Sequence, residues 1–260
     1  SRFLHAQVHV PVSVYRSMDA AAHHERVVSR GLELTGNKRS LRMLNGGWRF
    51  VDEVETGAGS NTAALTDDGR QVFGVLIDND SDRYGSEING TRKSGWGKGQ
   101  NLDFQQTPAF LALRSSLPLE QAIAEGLAEG RKDSTIRKDL GDDVPPQLMA
   151  YWMRELTEIV LLDFIFSQQD RVGNIDFTPY YYWVEDGKAK HKKAKHHAPA
   201  DGTVPADALL LRRTNLNDND AGGRVQYANF ANTTAMLDKR QRFDGDVHRR
   251  VKRVDRAHRA

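Results

Sequence analysis

Cysteine is absent from these 260 residues, and with it go disulfides, thiolate zinc sites and a cysteine nucleophile. A chain without cysteine is at home in cytoplasm or periplasm, so the compartment stays open. Long hydrophobic runs are lacking too. No stretch approaches the ~20 apolar residues that a membrane helix needs, which predicts a soluble chain with no membrane span. An excess of one charge is also missing: 37 Lys and Arg meet 35 Asp and Glu, a formal net charge of +2. Such a balance does not announce a nucleic-acid partner. The first residue is Ser1 rather than Met, which implies a processed or trimmed start.

What is present is long enough for one large domain or two modest ones. "QVHVPVSVYRSM" alternates Val8, Val10, Val12 and Val14, the period of a half-buried strand, with Pro11 marking an edge or bulge. "AAAHHERVVSRGLEL" reads as a short helix. "NGGWRFVDEVETG" and "RQVFGVLID" read as strands joined by a Gly/Ser/Asn-rich connection, and "DNDSDRYGSEINGTRKSGWGKGQN" as a loop. "TPAFLALRSSLPLEQAIAEGLAEGRK" and "PPQLMAYWMRELTEIVLLDFIFSQQ" have helical period. The second opens on a proline pair and is expected to run from about Gln147 to Gln169. A strand with three tyrosines follows at 180–182, then the strand "ALLLRR". The terminal segment sets Phe243, Val247, Val251 and Val254 at helical spacing, which predicts a helix packed on the body. Strands first, helices after, and one hairpin in the helical half make an α+β arrangement. Its β-rich part covers 1–105 and its helical part 106–260.

Three motifs fail on spacing or charge. Asp78, Asp80 and Asp82 begin like a calcium loop, but Arg83 stands where glycine is needed and Asn89 where a bidentate Glu is needed. "SGWGKGQ" with Lys98 lacks the Ser or Thr of a phosphate loop. "HKKAKHH" offers His191, His196 and His197, yet its lysines repel a metal ion. The whole segment from Gly187 to Pro205 has almost nothing apolar to bury and reads as a mobile basic loop.

One constellation survives. "DFIFSQQDRVGNID" ends the long helix, and "TNLNDNDAGGR" follows the strand "ALLLRR". Phosphoryl transfer needs an acid that orients a hydroxyl proton, with a carboxylate and an amide oxygen to hold magnesium. Asp170, Asn174, Asp218 and Asp220 supply that set. Asp163, on an apolar helix face, reads instead as a buried hydrogen-bonding residue, Trp48 and Trp152 as core, and Asn217 and Asn219 as turn formers.

The two patches resemble the catalytic and metal-binding loops of atypical protein-kinase-like enzymes. These are the phosphatidylinositol 3-/4-kinases, the HipA toxin kinases and the secretory-pathway kinases of the Golgi casein kinase type. Leu162-Asp163-Phe164-Ile165 and Asp170-Arg171 carry the first part of the resemblance, and Leu216, Asp218 and Asn219 the second. It implies a protein-kinase-like fold, with 1–105 the remnant of a small lobe and hinge. It further implies an ATP- and Mg- (or Mn-) dependent phosphotransferase acting on a protein or other hydroxyl-bearing substrate. Asp170 would be the catalytic acid/base, Asn174 a metal or loop-positioning ligand, and Asp218 the principal magnesium ligand, with Asp220 beside it. The chain departs from the pattern at Asp220, where the family has Gly, and at Asn174, four rather than five residues after Asp170. No strand carries a phosphate-binding lysine of the Val-Ala-Ile-Lys type. The alternatives are a kinase-shaped binding module without turnover and, behind it, a nucleic-acid binder using the basic loop and terminal helix.

Overall fold

The valine alternation that opens the sequence does not become one strand, because Pro11 splits it. The structure, a computed structural model, describes residues 8–58, 64–78, 81–194, 204–217, 219, 222–223, 225–250 and 252. Two compact units divide the chain: Val12–Asp78, and Ser1–Pro11 together with Asn79–Ala260. The division between these units falls at Pro11 and Asp78.

The smaller unit runs β1 (Ser13–Asp19), α1 (Ala20–His23), a π-helical stretch His24–Val28, α2 (Ser29–Thr35), α3 (Arg42–Thr56) and β2 (Gln71–Ile77). β1 and β2 pair antiparallel from Ser13↔Ile77 to Asp19↔Gln71, with the helices between them in sequence. Asp19 caps α1 by accepting the Ala22 amide at 2.9 Å. "NGGWRFVDEVETG", expected as a strand, lies in helix α3 and the turn after it. Its half-buried positions Leu41, Asn45, Trp48, Val51 and Glu55 recur every three to four residues, and that stripe overrides the local alternation. Trp48 is half-buried against Gly31 rather than fully enclosed.

The larger unit runs β3 (Asp82–Arg83), α4 (Ser86–Asn89), α5 (Lys98–Phe104), α6 (Pro108–Arg114), α7 (Leu119–Gly130), α8 (Ser134–Leu140), α9 (Pro146–Phe166), β4 (Ile175–Glu185), β5 (Lys188–Lys193), β6 (Leu209–Leu216) and α10 (Phe230–Thr233). Helical turns follow over 245–250. The architecture is mixed α+β with two small antiparallel sheets. The segment 78–101, expected as one loop, holds β3, α4 and the start of α5. Its glycines end short elements there instead of abolishing them. Prolines 145 and 146 open α9, and Ser167, at φ 51, closes it three residues earlier than expected. α6 and α7 pack closely, since a Cβ on Gly126 would stand 2.5 Å from the Pro108 carbonyl oxygen. Among the described residues no helix is long and apolar enough to cross a membrane.

β4 is the central strand of the second sheet. β6 pairs with it from Ile175↔Leu216 to Tyr182↔Leu209. The opposite edge takes β3 at Phe177 and Asp176 and β5 from Tyr180 to Glu185. Lys188–Lys193 is therefore an edge strand, which corrects the expectation of a mobile loop over that stretch. Backbone pairing needs no apolar side chains, and the Tyr182 ring stacks on His191 at 5.6 Å. The remainder of that loop, 195–203, with His196 and His197, lies outside the described residues. Residues 8–10 run along β6, where His9 takes the amide of Leu216 and gives its own to Thr214. The core sits between sheet and helices. Tyr84 packs on Phe177 at 4.6 Å and edge-on to Trp152 at 6.1 Å, and its hydroxyl donates to the Arg212 carbonyl.

Candidate functional site

The end of α9 and the end of β6 meet at one side chain. Arg171 is 5% exposed and ion-pairs with Asp163, itself 6% exposed, through Nε and Nη2 at 3.1 Å. The remaining donors cross to the other loop: Nη1 gives to the Asn217 carbonyl at 3.0 Å and Nη2 to Asn219 Oδ1 at 2.7 Å. Burial pushes the Asp163 carboxyl upward, while the Arg171 charge and hydrogen bonds pull it down. The fork geometry of arginine suits this task, since one side chain can hold a carboxylate and two loop oxygens at once. Asp163 is thus a buried partner of Arg171, as its helix face implied.

Asp170 lies at the surface between these anchors, its amide held by Gln168 Oε1 at 3.0 Å. Residues 171–174 form a tight turn closed by the Asn174 amide on the Arg171 carbonyl. Gly173 sits there at φ 95, and a Cβ would land 1.9 Å from Arg92 Nη2. Asn89 clasps the turn from below, accepting from the Gly173 and Ile175 amides and donating to the Ile175 carbonyl. Gln100 donates to the Val172 carbonyl. The Asn174 side chain is half-buried and engaged at both ends: it donates to the Asp170 carbonyl and accepts from Arg83 Nη1 at 3.1 Å.

Sequence reasoning passed over a further carboxylate. Asp176, 3% exposed, receives Arg83 Nε at 3.1 Å, Ser81 Oγ at 3.2 Å and the Asn217 side-chain amide. The signal was an acid set inside a run of strand formers, immediately after the candidate turn. Asn217 and Asn219 do more than make turns, since they receive Arg171 and bond Asp176, although Asn219 Nδ2 also closes a turn on the Leu216 carbonyl. Asp218 and Asp220, the expected metal ligands, lie outside the described residues.

Oxygen donors that meet here are Asn174 and Asp176, both bonded to Arg83, and Asn217, bonded to Asp176; such hard ligands suit magnesium. Among the described residues no group of three or more His, Asp or Glu side chains converges to hold a metal ion. A cavity of about 280 Å³ adjoins the Asp163–Arg171 pair, walled by Leu162, Phe166 and Leu216 and floored by Gly222, Gly223 and Asn219. Apolar walls beside a few polar groups are the common form of a ligand site. No family model matches the chain, and neither a curated protein nor a solved structure matches it.

Proposed function

We propose that the chain is a kinase-like phosphotransferase that uses ATP and magnesium to phosphorylate a protein or another hydroxyl-bearing substrate. The observation that carries this reading is the Arg171 bridge. It ties the loop bearing Asp170 to the residues on both sides of Asp218, so two sequence patches 48 residues apart belong to one place. In this reading Asp170, exposed on a clamped turn, accepts or orients the substrate hydroxyl proton. Asn174 positions the turn, and Asp176 and Asn217 would supply oxygen ligands for the metal. Bound magnesium would neutralise phosphate charge, the chemistry that side chains supply least well. Arg83 and Arg92 bring guanidinium groups to the same turn, where phosphate oxygens would meet positive charge.

ADP release in the presence of Mg²⁺ and ATP tests the reading. Asp170→Asn should keep nucleotide affinity, measured by calorimetry, and lower turnover by about 10²–10⁴-fold. Turnover equal to that of the parent chain sinks the assignment. A kinase-shaped binding module without turnover is the second reading. It is favoured by the engagement of Asn174 and Asp176 with Arg83, which occupies acceptors that a metal would want. Nucleotide-dependent stabilisation in a thermal melt without ADP release would select it.

A further inference from the structure

Helix α9 has a cavity on each of two sides. The one already described is reached from Leu162. The other, of about 300 Å³, is reached from Leu161, about 100° around the helix, and is also lined by Leu237, Asp238, Arg240, Arg242 and Phe243. Two arginines therefore border a space that is distinct from the Asp170 turn.

These arginines differ from their neighbours. Arg154 lies within ion-pair reach of Glu158 and Asp244, and Arg250 within reach of Glu158 and Asp246. Arg240 and Arg242 have no carboxylate partner among the described residues, and Asp238, on the same cavity, pairs with neither. Among the described residues the Arg240 side chain makes a single weak hydrogen bond, Nη1 to the Thr157 carbonyl at 3.4 Å, and it lies 4.7 Å over the Phe243 ring. The Nε of each arginine is shut off from water and lacks an acceptor among the described residues. Burial alone lowers the Arg240 guanidinium to about 10, with no carboxylate acting against it. A desolvated cation without a counter-charge is costly unless something supplies one.

We propose that this cavity is an oxyanion site, in which Arg240 and Arg242 take phosphate, free or as the phosphoryl group of a small molecule. Guanidinium planes offer paired donors that match phosphate oxygens, and a small rotation of either side chain hands its Nε–H to the anion. Leu161, Leu237 and Phe243 leave apolar surface for whatever the phosphoryl group is attached to. The site is independent of the phosphotransfer reading and stands or falls without it.

Calorimetric titration at fixed ionic strength, with inorganic phosphate, phenyl phosphate and chloride as probes, tests the proposal. Saturable binding of one phosphate is expected, weakened about ten- to hundredfold in Arg240→Gln and in Arg242→Gln. Tighter binding of phenyl phosphate assigns the site to a phosphorylated small molecule, and equal affinity assigns it to free phosphate. Arg242→Gln carries the test should Arg240→Gln fail to fold, because among the described residues Arg242 holds nothing else in place. Heats matched by chloride, no saturation, or affinity unchanged in Arg242→Gln would overturn the site.

Discussion

Helices α9 and α3 are built on opposite plans. α9 buries Leu148, Met149, Trp152, Met153, Leu156, Ile159, Val160 and Leu162, and buries the acids Glu155, Glu158 and Asp163 among them. α3 buries Val54 alone and leaves Met43, Leu44 and Phe50 exposed. What fixes α3 is polar and local: Asn45 to Thr35 at 3.0 Å, His24 to Asp52 at 2.7 Å and His23 to Glu55 at 2.5 Å. One helix is held chiefly by area removed from water, the other chiefly by a few polar ties. The acids of α9 are the price of that plan, and each is answered by a named donor. Thr214 gives its amide and hydroxyl to Glu155, Val8 gives its amide to Glu158, and Arg171 pairs with Asp163.

The contrast is sharpest where a buried charge can be orphaned. Arg171→Ala leaves Asp163 enclosed without its partner and should cost about 3–5 kcal/mol in urea unfolding followed by tryptophan fluorescence. Joint replacement, Asp163→Leu with Arg171→Met, should recover most of that loss while still uncoupling the two loops. A cost below about 1 kcal/mol for Arg171→Ala would mean that α9 does not depend on its polar ties.

A second test uses pH. Burial pushes the Glu155 carboxyl from 4.5 up to about 7, against the pull of the Thr214 hydrogen bonds. The raised value means that the folded state binds the proton more tightly. Its stabilising contribution is therefore complete below pH 4.5 and is lost as pH rises through 7, on the order of 3 kcal/mol in all. Glu87, also pushed up to about 7 by burial, adds a decline over the same window. Thermal melts from pH 4.5 to 8 should show a falling midpoint, and Glu155→Gln should flatten roughly half of the fall. A profile identical in the variant would remove Glu155 from the account.

The smallest effect belongs to the smaller unit. Asp19→Ala removes the cap of α1 and should cost about 1 kcal/mol. Hydrogen exchange should register it within Val12–Asp78 and leave the amides of α9 unchanged.

α9 was legible in the sequence because its apolar residues and proline pair leave no competing reading. The β4–β6 pairing was legible too, from strand formers on both sides of a polar insertion. α3 was not, because Gly46-Gly47 and the alternation in "WRFVDEV" imitate a strand when only nearest neighbours are compared. β5 was hidden by composition, since an edge strand can be made almost wholly of lysine when its partner supplies the aromatics. Around the turn after α9, the buried character of Asp163 could be read from its apolar helix face. Arg83, Ser81 and Asn89 could not, for they reach the turn from more than 80 residues away. No local pattern encodes a contact of that span.

β3 and Asn89 have an implication for the order of events during synthesis. Their partners lie in residues 173–177, and Arg83 must wait for Asp176, 93 residues further along the chain. At cellular rates of elongation that wait is roughly 5–20 s. Through that interval the ribosome displays a finished β1–β2 pair and a β3 whose partner strand has not yet been made. β4, when it emerges, has to satisfy β3 on one edge before β6 exists to cover the other. A chaperone that recognises single unpaired strands would find its longest opportunity while β3 waits for β4.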